Sequence, residues 1–473
     1  MNPIKRATAV LLLICNTLML VSCGIKTEQP VALTPFTGSV FDYEYQLEEG
    51  RDRDWEKDVV FFAHTFLYGV QGHPLLVDRE CDTYAENTYM GGSGSFKRAV
   101  YYDEALRACF ITGVNDLIAR IPQLEDFEIP YKLAELVASL GDVHSNISVP
   151  AGDIFPFYFI PFFDDGGFAY YNVRAPKELE RTLACKLVAI NGVAIDEILR
   201  RFEKLIPHEN EQYLILNAVD VRYDGLCYKK EALQFVDVIG KNKDAAKFTF
   251  IDAQGKRFSV KVEAVTQDEY EAMETVQCMV DKEKLLMYAH EDQYGWYEYL
   301  PEDDMMYLRH SDCTEEGLLF RQFQMDFIEA LQQTPGVEKL VIDLRGNPGG
   351  YVPEYYDTFI RALNYNRDLV GTVYILIDGG STSAATTLAT LLKKHAENAV
   401  LVGEPAGQPP DFFGYALRYT LPNSGIGFRV SQAFSSMWPE YEADALLPDI
   451  YVYQTFEDYL NNRDTALETI IGY

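Results

Sequence analysis

The sequence predicts an α/β protein whose C-terminal half is built on a parallel sheet. Three apolar runs carry that expectation: Lys339-Leu340-Val341-Ile342-Asp343-Leu344, Thr372-Val373-Tyr374-Ile375-Leu376-Ile377 and Ala399-Val400-Leu401-Val402. Helical segments at about 316–333, 353–364 and 383–395 lie before and between them. Strands that are apolar throughout and alternate with helices belong to a sheet covered on both faces.

The remainder of the chain is read from its N-terminus. Residues 1–23 have the layout of a targeting signal: Lys5 and Arg6, then an apolar run from Ala7 to Val21 that is short for a membrane span. The run ends in Leu20-Val21-Ser22-Cys23-Gly24, which is similar to a bacterial lipoprotein cleavage site. That resemblance implies an exported protein, lipidated at Cys23 and anchored to the membrane of the cell envelope through its acyl chains. Residues 24–48 are polar with scattered prolines and read as a tether. Residues 49–152 read as mostly helical. Within them, Lys132-Leu133-Ala134-Glu135-Leu136-Val137-Ala138-Ser139-Leu140 places apolar side chains on one helical face, and Gly141 stops the helix. His144 follows at the corner into a short strand.

Residues 153–265 are rich in strands, with Phe155–Ile160 and Phe168–Val173 flanking an Asp-Asp-Gly-Gly turn. The segment Lys186-Leu187-Val188-Ala189-Ile190-Asn191-Gly192-Val193, followed by a helix start, resembles the central hairpin of PDZ-like domains. Asn-Gly is also a common hairpin turn, and Leu183-Ala184-Cys185 stands where many PDZ-like domains carry a glycine. Residues 270–473 make up the strand–helix core.

Composition narrows the function. With 72 acidic and 41 basic residues the formal charge is −31, a field that repels phosphate backbones and argues against nucleic-acid binding. Of eight cysteines, Cys15 and Cys23 belong to the signal. The remaining Cys81, Cys109, Cys185, Cys227, Cys278 and Cys313 allow 15 full pairings, and spacing does not choose among them. None has zinc-ligand spacing with nearby histidines, so no metal site is expected.

Three stretches carry chemistry. In Asp343-Leu344-Arg345-Gly346-Asn347-Pro348-Gly349-Gly350 a strand opens into a glycine-rich turn whose backbone N–H groups can face an oxyanion. A phosphate loop is disfavoured because no Gly-Lys-Ser/Thr follows. In Asp378-Gly379-Gly380-Ser381-Thr382-Ser383-Ala384-Ala385 a strand ends in glycines and a helix begins near Ser383, at the positive end of its dipole. Simple helix capping by Ser381 or Ser383 is the competing reading. The third stretch, Val402-Gly403-Glu404-Pro405-Ala406-Gly407-Gln408, is a loop on the same edge.

In this order the three stretches resemble the tail-specific, or C-terminal-processing, serine protease family. The resemblance implies a crotonase-like core with a PDZ-like domain before it and Ser383 as nucleophile. It places the Ala384 amide, with that of Gly349 or Gly350, in the oxyanion hole. One branch of the family carries a lysine base where this chain has Gln408, and glutamine cannot accept the hydroxyl proton. Lys393 and Lys394, two to three turns along the nucleophile helix, read as solvated surface. Leu140-Gly141-Asp142-Val143-His144-Ser145 is similar to the histidine motif of the tricorn-core and interphotoreceptor retinoid-binding-like branch. Histidine suits a base at neutral pH, and His144 is the candidate. By the same resemblance, Glu440 or Glu442 orients it, although Asp142 could instead bond locally. The expectation is a serine-type endopeptidase acting on peptides or proteins through an acyl-enzyme, without a cofactor. The alternative is a non-catalytic ligand- or peptide-binding lipoprotein on the same fold. A carbohydrate-active enzyme has no paired-carboxylate signature behind it.

Overall fold

The computed structural model describes residues 33–68, 84–89, 92–98 and 104–472, apart from 39, 41–42, 151, 165, 279–280, 282–283, 314–316, 351–354 and 432. The signal segment, Cys23, residues 24–32 of the tether and Cys81 lie outside the described residues. Phe36–Tyr473 forms one compact unit.

Its centre is a six-stranded sheet. Met305–His310, Val337–Asp343, Val370–Ile377, Ala399–Gly403 and Ile450–Tyr451 run parallel, and Gly295–Leu300 closes one edge antiparallel. Alternate side chains go to opposite faces. Leu340, Ile342, Ile375 and Ile377 pack with Phe327, Phe359 and Leu388 of the helices Gly317–Gln333, Tyr355–Tyr365 and Ala384–His395. Tyr307, Val341, Tyr374 and Leu376 pack on the other face with Leu467 and Ile470 of Thr465–Gly472. Both faces are buried, which is why the strands read as unbroken apolar runs.

In-register pairing of Asp343 with Leu376 and of Ile377 with Gly403 brings three strand ends to one edge. The loops at 344–350, 378–383 and 404–408 therefore emerge together, where open α/β sheets place their ligands.

Beneath that edge lies a buried ionic network. Arg345 forks onto Asp343 (3.0 and 2.7 Å) and onto Asp464 (2.8 and 2.7 Å), and Tyr307 Oη donates to Asp343 at 2.5 Å. The motif's aspartate and arginine are thus structural. They tie the start of the glycine loop to the C-terminal helix.

A seven-stranded sheet covers residues 158–277. At its centre Lys186–Ile190 turns through Asn191 and Gly192, both at positive φ (50° and 84°), into Val193–Ala194 and the helix Ile195–Phe202. Ala184, where a glycine is common, holds the left-handed conformation with φ 59°. The position keeps the backbone shape that a glycine would adopt at lower cost.

The stretch expected to be mostly helical contains the helices Arg51–Tyr68, Glu104–Arg120 and Glu128–Ala138. It also holds a hairpin, Tyr84–Tyr89 and Gly92–Arg98, whose second strand pairs with Ala433–Ser436. Polar runs such as Gly-Ser-Gly-Ser at 92–95 give no alternating signal, so partners far along the chain decide their conformation. Cys109, Cys185, Cys227, Cys278 and Cys313 are free thiols.

Two outcomes follow for stability. Arg345 and Arg309 outweigh burial and hold the Asp343 carboxyl at about 2. Its unfolded value is about 3.9. A depressed carboxylate stabilises the fold above the unfolded value, so this contribution should fade as pH falls from about 4 to about 2. Asp343→Leu should cost about 3–5 kcal/mol in urea unfolding at neutral pH, because it takes from two buried guanidiniums, Arg309 and Arg345, the carboxylate they share. Ala184→Gly should raise the unfolding midpoint by the equivalent of about 1 kcal/mol.

Candidate active site

Ser383 sits at the junction of the Gly379-Gly380 turn and the helix Ala384–His395, with φ 56° and ψ −120°. A non-glycine residue rarely adopts such a conformation, and it persists only where its surroundings enforce it. The Ser383 side chain does not cap the helix. Its neighbours are the structural hydroxyls: Ser381 Oγ donates to the Leu344 carbonyl at 2.8 Å and Thr382 Oγ1 to the Pro348 carbonyl at 3.1 Å. Asp378 Oδ1 accepts from the amides of Gly346 (2.7 Å) and Gly380 (2.9 Å). The glycine loop and the serine turn are stitched into one unit.

The Ser383 amide donates to Gln408 Oε1 at 2.6 Å, and Gln408 Nε2 donates to Glu209 Oε1 at 3.3 Å. Gln408 is fully buried. Standing where the lysine branch keeps its base, it instead holds the strained serine backbone. Burial, with Asp142 nearby, pushes the Glu209 carboxyl well above its usual range.

His144 Nε2 lies 2.9 Å from Ser383 Oγ, although the residues are 239 positions apart. The approach is built by backbone pairing. Asn146–Ile147 adds to a three-stranded sheet with Gly427–Val430 and Leu417–Thr420. Ser145 Oγ accepts from the Ser431 amide at 3.0 Å, and the Ser148 amide donates to the Gly427 carbonyl at 2.9 Å. The imidazole stacks on Phe412 with ring centroids 5.5 Å apart and planes 10° apart. Asp142 Oδ1 accepts from the His144 amide at 2.9 Å and so fixes the corner locally.

Nδ1 has no partner of good hydrogen-bond geometry; the polar group facing it is the Phe413 carbonyl. Glu440 and Glu442 are exposed and are not among the groups that act on His144. The expectation that one of them orients the ring is therefore corrected. The stack on Phe412 takes that place, a solution that no residue-type motif announces. Lys393 and Lys394 are also engaged: Lys393 Nζ pairs with Asp449 at 2.8 Å, and Lys394 Nζ donates to the Met437 carbonyl at 2.5 Å.

Gly349 is pressed against Ser383. A Cβ built there would come within 2.5 Å of Ser383 Cβ and 2.8 Å of the Ala384 nitrogen. Its N–H is already given to Asn347 Oδ1 at 2.9 Å. Asn347 in turn donates to the His310 carbonyl at 2.9 Å. This anchoring role and the roles of Glu209 and Phe412 were not foreseen. Asn347 alone had a signal, its place within the glycine motif. No group of His, Cys, Asp and Glu among the described residues has an arrangement suited to a metal ion.

Residues 304–370, which include the glycine loop, match the model for Peptidase family S41. Over this segment the chain resembles the S41 peptidases. Among solved structures, the chain is similar to mature CPAF, with 12% identity over 89% of this chain and 96% of that one and a TM-score of 0.53. It is also similar to mature CPAF complexed with lactacystin, with 12% identity, coverage of 89% and 97%, and a TM-score of 0.56. At these identities the likeness is one of fold. The tricorn protease is similar over 79% of this chain and 34% of its own, with 14% identity and a TM-score of 0.35. No curated protein sequence matches the chain.

Burial is the largest influence on His144 and lowers its pKa from the usual 6.5; Asp142 opposes this and Arg429 reinforces it. A neutral imidazole is the proton acceptor, so modification of Ser383 by a serine-directed probe should rise with pH along a limb centred below 6.5 and be flat at neutral pH. Asp142→Asn should move that limb to lower pH, read from labelling rates across a pH series.

Proposed function

We propose that this protein is an exported serine peptidase that cleaves peptide bonds through an acyl-enzyme. The observation that carries the reading is the 2.9 Å approach of His144 Nε2 to the hydroxyl of a strained, uncapped serine. His144 takes the proton from Ser383 Oγ as Oγ bonds to the substrate carbonyl carbon. The oxyanion so formed faces the N–H groups of Ala384 and Gly350, which are fixed before charge develops. Collapse breaks the C–N bond, and the imidazolium gives its proton to the leaving amine. Water, deprotonated by the same imidazole, then releases the acid.

Gln408 cannot serve as the base. Its carbonyl oxygen is committed to the Ser383 amide, and its NH₂ group carries no basic lone pair. The substrate is a peptide or protein segment. Lipidation at Cys23 would hold the enzyme in the cell envelope, and the Leu20-Val21-Ser22-Cys23 segment supports that setting.

A fluorophosphonate probe tests the reading. The full chain should be labelled at Ser383, and Ser383→Ala should abolish labelling. His144→Ala should slow labelling and peptide hydrolysis by about 10²–10⁴-fold. Folded but unlabelled protein would favour a binding role on the same scaffold. Gln408→Lys should lose activity rather than gain a second base, because it leaves the Ser383 amide without its acceptor.

A further inference from the structure

His144 and Ser383 stand on different parts of the fold, and one side chain from a third part touches the support of each. Glu209 precedes the helix Glu211–Val219. Its Oε1 accepts from the Val143 amide at 3.5 Å and from Gln408 Nε2 at 3.3 Å. Val143 adjoins His144 in the chain, and Gln408 Oε1 takes the Ser383 amide at 2.6 Å. A single carboxyl oxygen therefore lies between the backbone that carries the imidazole and the side chain that holds the serine.

The segment that presents this carboxyl is itself anchored. Asn210, next in the chain, accepts from the Tyr213 amide at 3.0 Å as the cap of the helix. Its Nδ2 donates to the carbonyls of Ala406 at 3.0 Å and Asp444 at 3.1 Å. Ala406 stands two residues before Gln408, so Glu209 and Gln408 come from segments already bonded to each other.

The Gln408 amide has two faces. It turns its oxygen to Ser383 only if its buried NH₂ group finds an acceptor on the other side. Glu209 Oε1 is that acceptor. The role needs no charge. Glu209 Oε2 is buried without a hydrogen-bond partner, and burial with Asp142 nearby favours the uncharged acid. Ionised acceptors draw their donors closer than the 3.3 and 3.5 Å seen here.

We propose that Glu209 is a positioning residue for the Ser383–His144 pair: as an acceptor shared by Val143 and Gln408, it sets the face that the Gln408 amide shows to Ser383 and ties the two reacting side chains into one geometry. The proposal rests on the assignment of Ser383 and His144 as the reacting pair.

The experiment compares the full chain with its Glu209→Gln, Glu209→Ala and Gln408→Ala variants and with the Glu209→Ala/Gln408→Ala double variant. Glutamine offers an oxygen at the same reach, and alanine offers none. Fluorophosphonate labelling of Ser383 over a range of probe concentrations should show the maximal rate of Glu209→Ala falling by up to about 100-fold. The half-saturating probe concentration should not change, and Glu209→Gln should stay close to the wild-type rate. A tie cut at one end transmits nothing, so Glu209→Ala should add little to the loss in Gln408→Ala. Deuterium exchange, which needs no reaction at the site, should quicken at the Val143 and Ser383 amides in Glu209→Ala but not in Glu209→Gln. The strand Val337–Asp343 should keep its wild-type exchange, the sign that the core is intact. If Glu209→Ala does not fold, Glu209→Asp, one methylene short, carries the same expectation. Wild-type labelling and exchange in Glu209→Ala, equal losses in Glu209→Gln and Glu209→Ala, or losses that multiply in the double variant overturn the proposal. A wild-type chain that is folded but unlabelled overturns the peptidase reading instead, and the exchange comparison then decides the tie alone.

Discussion

A two-residue strand carries the site. Asn146–Ile147 pairs with Gly427–Val430, and through that pairing a histidine from the N-terminal third reaches a serine in the C-terminal core. Side chains reinforce it on both sides: Ser145 receives the Ser431 amide, and Phe428 anchors the strand on the aromatic face of the first described helix. Without this pairing the backbone corner that carries the imidazole would be held by the Asp142 contact, which is local. The chemistry therefore depends on contacts of high sequence separation, which form only when the whole unit has folded.

The serine side works by constraint of a different kind. A positive φ at a residue with a side chain is unfavourable by itself, so it must be over-determined. The Gln408 bond to the Ser383 amide, the close approach of Gly349 and the bonds from Ser381 and Thr382 into the glycine loop together enforce it. The Gly349–Ser383 approach leaves no room for a side chain, and the glycine lies against the Ala384 nitrogen as well. Deeper down, Asp343, Arg345 and Asp464 hold the loop's first residues to the sheet. The familiar motif thus divides into a framework half and a reacting half.

Much of this could be read without coordinates. The three apolar strands, their helices, the glycine loop, Ser383 and His144 each have a local pattern, because each follows from backbone chemistry or from side-chain periodicity. The orienting group of His144 had none. Glu440 and Glu442 were reasonable by residue type, but both face solvent, and the described contact on the ring is its stack on Phe412. The hairpin at 84–98 was missed for a related reason, since its second strand is completed by residues more than 300 positions later. Gly349 looked like an amide donor, yet a side chain two residues away takes its N–H.

The sequence by itself determined the layered α/β core, the glycine turn, the helix start at the serine and the absence of a lysine base at position 408. Each of these follows from short-range patterns of apolar spacing, glycine and residue type. The tertiary structure decided which histidine nitrogen meets the hydroxyl, which ring stacks on that histidine and which glycine presses on the serine. Those outcomes are distances between segments remote in the chain, and they arise from the packing of whole sheets and helices.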